Sequence, residues 1–204
     1  MSQKSLPHLL LLAYAGIFVL CAIEPYDRAV WWAENIPMLL LVAVLVWTHR
    51  YHRFTGLSYA FISVLVVLHT IGGHYTFERV PFDFVTDLFG FERNHYDRIA
   101  HFSVGFYAYP IAEILLRKRL VVSKTVLILF PVFAIFTVAG TYEIFEWIYA
   151  LNAEAGAGSA VLGSQGDVWD AQKDILADGL GAVLVMALFW RLHKVEMSRL
   201  KAVT

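Results

Sequence analysis

Apolar residues run along the chain in six long segments that are separated by shorter polar stretches. The segments cover approximately residues 7–24, 29–48, 56–74, 99–117, 122–148 and 172–192. A transmembrane helix needs about 20 mostly apolar residues in succession, and each segment is close to that length. We therefore predict an all-α fold, a polytopic membrane helix bundle of about six transmembrane helices, with residues 1–204 as a single integral membrane domain.

Two of the connecting stretches have their own character. YTFERVPFDFVTDLFGFERNHYD, between spans three and four, alternates aromatic and charged residues and is not apolar enough to span a membrane. We interpret it as an interfacial loop with a short amphipathic helix at the level of the lipid headgroups. LNAEAGAGSAVLGSQGDVW, between spans five and six, is rich in Gly, Ala and Ser, which predicts a flexible loop near the surface.

The composition supports the membrane assignment and excludes other classes. The chain is 59% apolar and 16% charged, with a mean hydropathy of +0.61, whereas soluble domains average about 25% charged residues. The net charge of −1 excludes a nucleic-acid partner, because a phosphate-binding surface needs an excess of Lys and Arg. The single cysteine, Cys21, excludes an intrachain disulfide and a Cys-based zinc site.

The basic residues of the loops predict the orientation of the spans. Lys, Arg and His follow span two at residues 49–53, separate spans four and five at 117–124, and follow span six at 191–201, whereas the 151–169 loop contains no Lys or Arg. Cytoplasmic loops of membrane proteins carry the excess of Lys and Arg. We therefore predict a multi-pass protein with both termini in the cytoplasm.

This orientation places most of the ionisable residues of the spans at one level, the outer half of the bilayer. An ionisable residue inside a membrane costs several kcal/mol unless it is paired, and by default it faces the bundle interior and has a functional role. We expect the side chains to meet there in one polar cluster. The candidates are Glu34 in span two, His69 and His74 in span three, Asp97, Arg98 and His101 in span four, Glu143 and Glu146 in span five, and Asp170, Asp174 and Asp178 in span six.

The spacing of these residues suits a metal site. Asp97 and His101 are four residues apart, as are Asp174 and Asp178, and Glu143 lies three residues before Glu146, so each pair shares one helix face. Carboxylates and histidines from facing helices can hold zinc, manganese or iron in a bundle. We predict a divalent metal bound by Asp97, His101, Glu143, Asp174 and Asp178, with His69, His74, Asp170 and Glu34 as secondary candidates.

Two further residues have predicted catalytic roles. Glu146 would be the general base for a metal-bound water, and Arg98 would hold a phosphate or an oxyanion. Structural alternatives remain open, because a histidine four residues after an aspartate often makes a local hydrogen bond and acids favour the first turn of a helix, as at Asp170. Glu113, four residues before Arg117, is predicted to make an ordinary helix ion pair.

Four motifs carry a resemblance to a known family. GGHYTFERVPF, NHYDRIAHFSVGF, YEIFEW and DVWDAQKDILADGLGA, in this order, resemble the YjdF-like bacterial inner-membrane proteins, an uncharacterised family with a domain of unknown function. The similarity covers almost the whole chain and implies a location in the bacterial inner membrane.

More distantly, the chain resembles the VanZ-like membrane proteins, which are linked to glycopeptide-antibiotic resistance and carry D-K-x-x-H-F, E-x-x-Q and D-x-x-x-N-x-x-G. Glu146 and Asp178 stand where that pattern has Gln and Asn, so the resemblance implies a more acidic site that binds cations better. The other matching positions are Asp97, Arg98, His101, Phe102, Glu143, Asp174 and Gly181.

Three functions are compatible with this pattern. The first is a membrane-embedded, metal-dependent hydrolase or transferase that acts on a lipid or lipid-linked substrate, with membrane lipids as its surroundings. The second is a proton- or cation-linked binder or transporter of a lipid or small molecule. The third is a structural protein in which the polar cluster fixes only the helix register.

Overall fold

Helices make up the regular structure of the protein. The computed structural model describes residues 5–153 and 155–200, and no β-strand forms within these residues, which confirms the all-α fold. A 3₁₀ turn, Gly105–Tyr107, joins α5 to α6 so that they form one span. The helices are α1 (Leu6–Cys21), α2 (Arg28–Thr48), α3 (Gly56–Tyr75), α4 (Asp83–Phe89), α5 (Tyr96–Val104), α6 (Ala108–Arg117), α7 (Lys124–Asn152), α8 (Ala155–Leu162), α9 (Asp170–Leu192) and α10 (Lys194–Met197).

Five helical stretches are long and apolar enough to cross a membrane. They are α2, α3, α5 with α6, α7 and α9, and they match predicted spans two to six. Helix α1 matches predicted span one but has 16 residues, which is short for a straight crossing. Large apolar side chains such as Leu12, Leu40 and Phe133 are exposed on the bundle surface, as expected for helices that face lipid.

Successive long helices run in opposite directions and create two ends of the bundle. At one end, where α3 and α7 finish and α2, α5 and α9 begin, the backbone nitrogen of Tyr26 donates to the carbonyl oxygen of His74 at 2.9 Å. At the other end the hydroxyl of Tyr109 lies 3.1 Å from Nε2 of His193. We call the first the acidic end, because the predicted site residues lie there, and the second the opposite end.

Short polar side chains fix where three of the long helices begin. Asp27 accepts hydrogen bonds from the backbone nitrogens of Ala29 and Val30 at 2.8 and 3.0 Å, ahead of α2. Thr55 precedes α3 and Ser123 precedes α7, and each accepts one backbone hydrogen bond from the first turn. Such caps satisfy amide groups that have no partner within the helix.

Small residues allow α5 and α9 to cross in direct contact. A Cβ atom on Gly105 would overlap backbone atoms of Gly181 and Ala182, and one on Gly181 would overlap the carbonyl oxygen of Phe102. Small residues let the backbones of membrane helices approach closely, and Gly181 has this effect on α9. The crossing lies one turn from the predicted site, so it sets the separation of the site residues on the two helices.

The connections differ in how well they were predicted. Helix α4 is the short helix expected between spans three and four, and Phe84, Leu88 and Phe89 are exposed on it. The flexible loop predicted for residues 151–169 is wrong in part, because α8 forms within it and packs on α7. Alanine favours helix, and Gly158 lets α8 approach the backbone of Ala150. Residue 154 lies outside the described residues.

Candidate metal and acid–base site

His101 on α5 is the centre of the polar cluster at the acidic end. Its Nδ1 lies 3.3 Å from Oδ2 of Asp178 on α9. Its Nε2 lies 3.8 Å from Oδ1 of Asp97, 3.9 Å from Oε1 of Glu143 and 3.9 Å from Oδ1 of Asp174. One ring thus contacts one carboxylate on one side and faces three on the other. We call these five residues the carboxylate–histidine cluster.

Some carboxylate oxygens of this cluster have no hydrogen-bond donor among the described residues. Asp178 is completely buried and Asp174 is 2% exposed. Oδ1 of Asp174 contacts the guanidinium group of Arg98, whereas Oε1 of Glu143 and Oδ1 of Asp178 are buried without a hydrogen bond from the described residues. A buried polar atom without a partner is costly, so these oxygens indicate a place for a cation, a proton or water.

The distances among three residues of the cluster are compatible with a single metal ion, and Glu143 and Asp178 are not part of that group. Ligand atoms of Asp97, His101 and Asp174 all lie within 4.8 Å of one another. Two ligand atoms that are each about 2.1 Å from one ion are separated by about 4.2 Å at most, and the three separations from Nε2 of His101 meet that limit. With Asp178 ionised, Nδ1 donates to it and Nε2 keeps a lone pair for a metal.

Arg98 does not point at a vacant position but pairs with two acids of α9. It forms an ion pair with Asp174, and its Nη2 lies 2.5 Å from Oδ1 of Asp170. Arg93, which the sequence analysis missed, lies 2.6 Å from the same oxygen of Asp170. Arg93 lies in the loop five residues before Arg98, close to the start of the same span. That position is a signal in the sequence, but the direction of a loop side chain cannot be predicted from helical spacing.

A second polar group lies on α2, α3 and α7. Oε2 of Glu34 accepts a hydrogen bond from the hydroxyl of Tyr142 at 3.0 Å and lies 3.0 Å from Nε2 of His69. Glu34 and His69 are buried, at 2% and 7% exposure, and Tyr142 is partly buried. Tyr142 was missed, although it lies four residues before Glu146 and so shares its helix face. We call Glu34, His69 and Tyr142 the Glu–His–Tyr group.

A cavity of about 110 Å³ separates the Glu–His–Tyr group from the carboxylate–histidine cluster. His69 and Tyr142 form one part of its wall, and Asp97, His101 and Asp178 form another. Glu146 also lines the cavity and makes no side-chain hydrogen bond with the described residues. The acid predicted as a general base is therefore next to the cluster and faces open space.

Two connecting segments cover this end of the bundle. Arg93 donates to the carbonyl oxygens of Gly163 and Ser164 at 3.2 and 3.1 Å, and the side chain of Gln165 bonds the backbone of Asn94 in both directions at 3.0 Å. The segment between α8 and α9 is thereby tied to the segment before α5. Gly163 is also part of the cavity wall.

Two titratable groups of these covering segments are affected by their charged neighbours. Burial, followed by the positive charges of Arg93 and Arg98, lowers the pKa of His95 below its usual value. A hydrogen bond from Lys173 lowers the pKa of Asp167, and their atoms are 2.6 Å apart. Near neutral pH the covering segments therefore carry a neutral histidine and an ionised aspartate.

His74 is the predicted candidate that lies away from the other candidates. Helix α3 continues through Gly72 and Gly73 to Tyr75, so His69 and His74 face different directions. Nδ1 of His74 lies 2.9 Å from the carbonyl oxygen of Cys21. The contact joins α3 to α1 and leaves His74 outside the cavity wall.

Comparisons with known proteins place these features in a family. Residues 6–195 match the family described as "Predicted membrane protein (DUF2238)". The chain is 31% identical over 206 residues to "Inner membrane protein YjdF" of Escherichia coli (strain K12), covering 100% of this chain and 95% of that protein. No solved structure matches, and the VanZ-like resemblance stays a prediction. The chain belongs to the DUF2238 family of membrane proteins.

Proposed function

We propose that this membrane protein is a divalent-metal-dependent hydrolase or transferase whose site lies within the outer half of the bilayer. The observation that carries the proposal is the environment of His101. Its Nδ1 is next to Asp178, and its Nε2 faces Asp97, Glu143 and Asp174. A carboxylate that orients a metal-binding histidine through its other nitrogen is a common feature of metal sites.

The contacts assign a role to each residue of the cluster. The proposed ligands are Asp97, His101, Asp174 and Glu143. Asp178 instead orients the imidazole ring of His101, and it would become a ligand only if that ring rotated. One nitrogen with carboxylate oxygens suits zinc, manganese or iron. The ion would lower the pKa of a bound water and so supply a nucleophile.

Glu146 and Arg98 would take part in the reaction without being ligands of the ion. Glu146 lines the cavity without a hydrogen bond and is free to accept a proton from the attacking water. Arg98 is held by Asp170 and Asp174, so its first role is to limit the charge of the cluster. Binding of a phosphate or oxyanion by Arg98 requires the anion to replace one of these carboxylates.

Elemental analysis of the detergent-purified protein tests the metal. We expect near-stoichiometric zinc, manganese or iron, with loss of the metal in the Asp174→Ala/Asp178→Ala double variant. Glu113→Gln is the matched control, because it removes a buried carboxylate at the opposite end and should leave the metal content unchanged. Equal metal content in the double variant and the wild type would refute the proposed ligands.

The proposed orientation has both termini in the cytoplasm of the inner membrane, which puts the acidic end on the periplasmic side. The relative from Escherichia coli is named as an inner-membrane protein, and the basic loops lie at the opposite end. Val168 is 84% exposed in the segment before α9. In a Cys21→Ser background, Val168→Cys should react with an impermeant thiol reagent from the periplasmic side of spheroplasts, and reaction from the cytoplasmic side alone would reverse the orientation.

A second function is favoured by one observation. The Glu–His–Tyr group and the carboxylate–histidine cluster line the same cavity, so a proton or cation could pass between them in a binder or transporter without metal chemistry. Reconstituted protein would then show proton-coupled uptake that changes between about pH 5 and 8 and does not respond to a chelator. Flat uptake over that range would count against this function.

A further inference from the structure

The cavity between the two polar groups has a wall that would attract a positive charge. Asp97, Asp178 and Glu146 contribute carboxylates to it, and His69, Phe77 and Tyr142 contribute rings. Among the described residues, the lining includes no Lys or Arg. Arg93 and Arg98 are directed to Asp170 and Asp174 instead.

The acidic side chains of the acidic end outnumber the cationic groups there, so their negative charge is balanced by bound protons or by a further cation. Arg93, Arg98 and one divalent ion could offset four of the seven acidic side chains gathered there, which leaves three carboxylates for the two histidines and any ligand. The seven acids are Glu34, Asp97, Glu143, Glu146, Asp170, Asp174 and Asp178. Uncompensated charge is costly in a membrane interior, so the cavity favours a cationic occupant over a neutral or anionic one.

Two unpartnered groups point to direct contact with such an occupant. Asp178 is completely buried, and its Oδ1 has no hydrogen bond. Glu146 is 7% exposed and lines the cavity without a hydrogen bond from the described residues. Both side chains can accept from an ammonium group, which has only donors to offer. The rings of Tyr142 and Phe77 line the same cavity, and an aromatic ring can attract a cation.

The size of the cavity limits how much of a ligand can enter. A volume of about 110 Å³ corresponds to about three or four water molecules at about 30 Å³ each. Pockets for drug-sized ligands measure about 300–1,000 Å³, so a whole lipid cannot be enclosed. The few heavy atoms of an ethanolamine group can be, with any remainder of the molecule outside the cavity.

We propose that the cavity binds the primary ammonium group of a small amine or of an aminated lipid headgroup, held between Glu146, Asp178 and the ring of Tyr142. The proposal deepens the proposed function by naming an amine-bearing substrate class, and it gives Glu146 the task of holding the ammonium group in place of the role of general base. It rests on the proposed function only for the claim that the bound amine is a substrate. The metal site would then lie beside the part of the substrate that reacts.

Calorimetric titration of the purified full-length protein with ethanolamine tests the binding. We expect saturable binding of ethanolamine, with ethylene glycol, its neutral analogue, binding more weakly by roughly tenfold or more, because a hydrogen bond to a charged group is the stronger kind. Comparable binding of ethylene glycol would overturn the proposal.

Two variants test the position of the ammonium group. Glu146→Gln keeps the shape of the side chain and removes its charge, so it should weaken ethanolamine binding by roughly tenfold or more. Ala139→Leu fills the cavity from the wall formed by α7 without changing any charge, and it should abolish binding. If ethanolamine binds both variants as it binds the wild type, the cavity is not the site.

Two further measurements distinguish a lipid headgroup from a free amine as the ligand, and distinguish the amine site from the metal site. Nanodiscs that contain phosphatidylethanolamine should reduce the apparent affinity for free ethanolamine if the headgroup enters the cavity, whereas phosphatidylglycerol nanodiscs should not. Competition identifies the lipid as the source, and its absence identifies the free amine. The metal content is measured in the same samples. Amine binding by metal-free protein would refute the metal site and support the amine site, whereas metal-loaded protein that binds no amine would refute the amine site and support the metal site.

Discussion

The two ends of the bundle each bury carboxylates, but they treat them in opposite ways. At the opposite end, completely buried Glu113 accepts from the backbone nitrogen and hydroxyl of Thr55 at 2.9 and 2.8 Å, from the hydroxyl of Ser58 at 2.5 Å and from Arg117 at 2.5 Å. The predicted helix ion pair between Glu113 and Arg117 is confirmed, and it is one part of a complete set of donors.

The acidic end has many carboxylates and few donors. Arg93 and Arg98 both bind Asp170, and Arg98 also binds Asp174, whereas one buried oxygen each of Glu143 and Asp178 has no hydrogen bond within the described part of the chain. A carboxylate with all its donors in place holds helices together and has no capacity for a ligand. The difference therefore supports our proposal that the functional site is at the acidic end, where polar atoms lack partners.

The largest expected effect comes from breaking the satisfied end. Glu113→Ala removes the common acceptor of Thr55, Ser58 and Arg117, and a buried donor that is left without its acceptor costs about 1–3 kcal/mol. We expect the free energy of unfolding in detergent to fall by this amount. Arg117→Met is the control and should cost less, because the Arg117 side chain is 48% exposed. Equal losses of stability in the two variants would show that the ion pair with Arg117, and not the hydrogen bonds at the start of α3, accounts for most of the contribution of Glu113.

At the acidic end, Asp174→Asn should remove stabilisation that depends on metal. A ligand at 100 times its dissociation constant stabilises a fold by about 2.7 kcal/mol. We expect added metal to raise the melting temperature of the wild type and of Glu113→Gln, but not that of Asp174→Asn. Equal responses in all three proteins would mean that Asp174 is not a ligand.

Asp178→Asn sharpens the comparison within the acidic end. If Asp178 orients His101 instead of binding the ion, its loss should weaken metal affinity by about 10–100-fold and leave measurable binding. A competition titration with a metal chelator gives this ratio. Complete loss of binding, as for Asp174→Asn, would make Asp178 a ligand.

The smallest effect is expected at the exposed edge of the acidic end. The pKa of Asp167 is lowered mainly by its hydrogen bond from Lys173, so the pair contributes to stability only above the unfolded-state pKa of Asp167 and loses this contribution as the pH falls. Exposed pairs often contribute nothing measurable. Lys173→Met should leave the melting temperature at neutral pH unchanged, and a clear decrease would show that this pair holds the covering segments.

The sequence allowed the spans and the level of the site residues to be predicted, because both depend on hydropathy and on helical spacing. The structure brings Asp97, His101, Glu143 and Asp174 together, as the spacing and the orientation suggested. The partners of individual atoms were beyond prediction. Which nitrogen of His101 faces Asp178 depends on how α5 and α9 are rotated about the contact of Gly105 with Gly181, and no periodicity encodes that rotation.

Two other differences have physical causes. His74 was a candidate because of its level in span three, yet an unbroken helix turns it toward Cys21. Arg93 and Tyr142 were missed because a loop residue and an aromatic residue give no amphipathic signal, and their roles appear only when their partners are known. Composition alone also concealed α8, since Gly and Ala suit either a loop or a helix that packs closely.

The shared carboxylate of Asp170 has a consequence for how the protein is made. Arg98 is synthesised 72 residues before Asp170, and at about 5–20 residues per second its partners leave the ribosome about 4–14 s later. During that interval Arg98 and His101 on α5 lack their acidic partners on α9. The three aspartates of α9 are synthesised later and pair with these two residues. We therefore expect membrane integration of the last helix to depend on its docking on α5, and we expect a chain shortened before α9 to expose the unpaired residues of α5 to quality control.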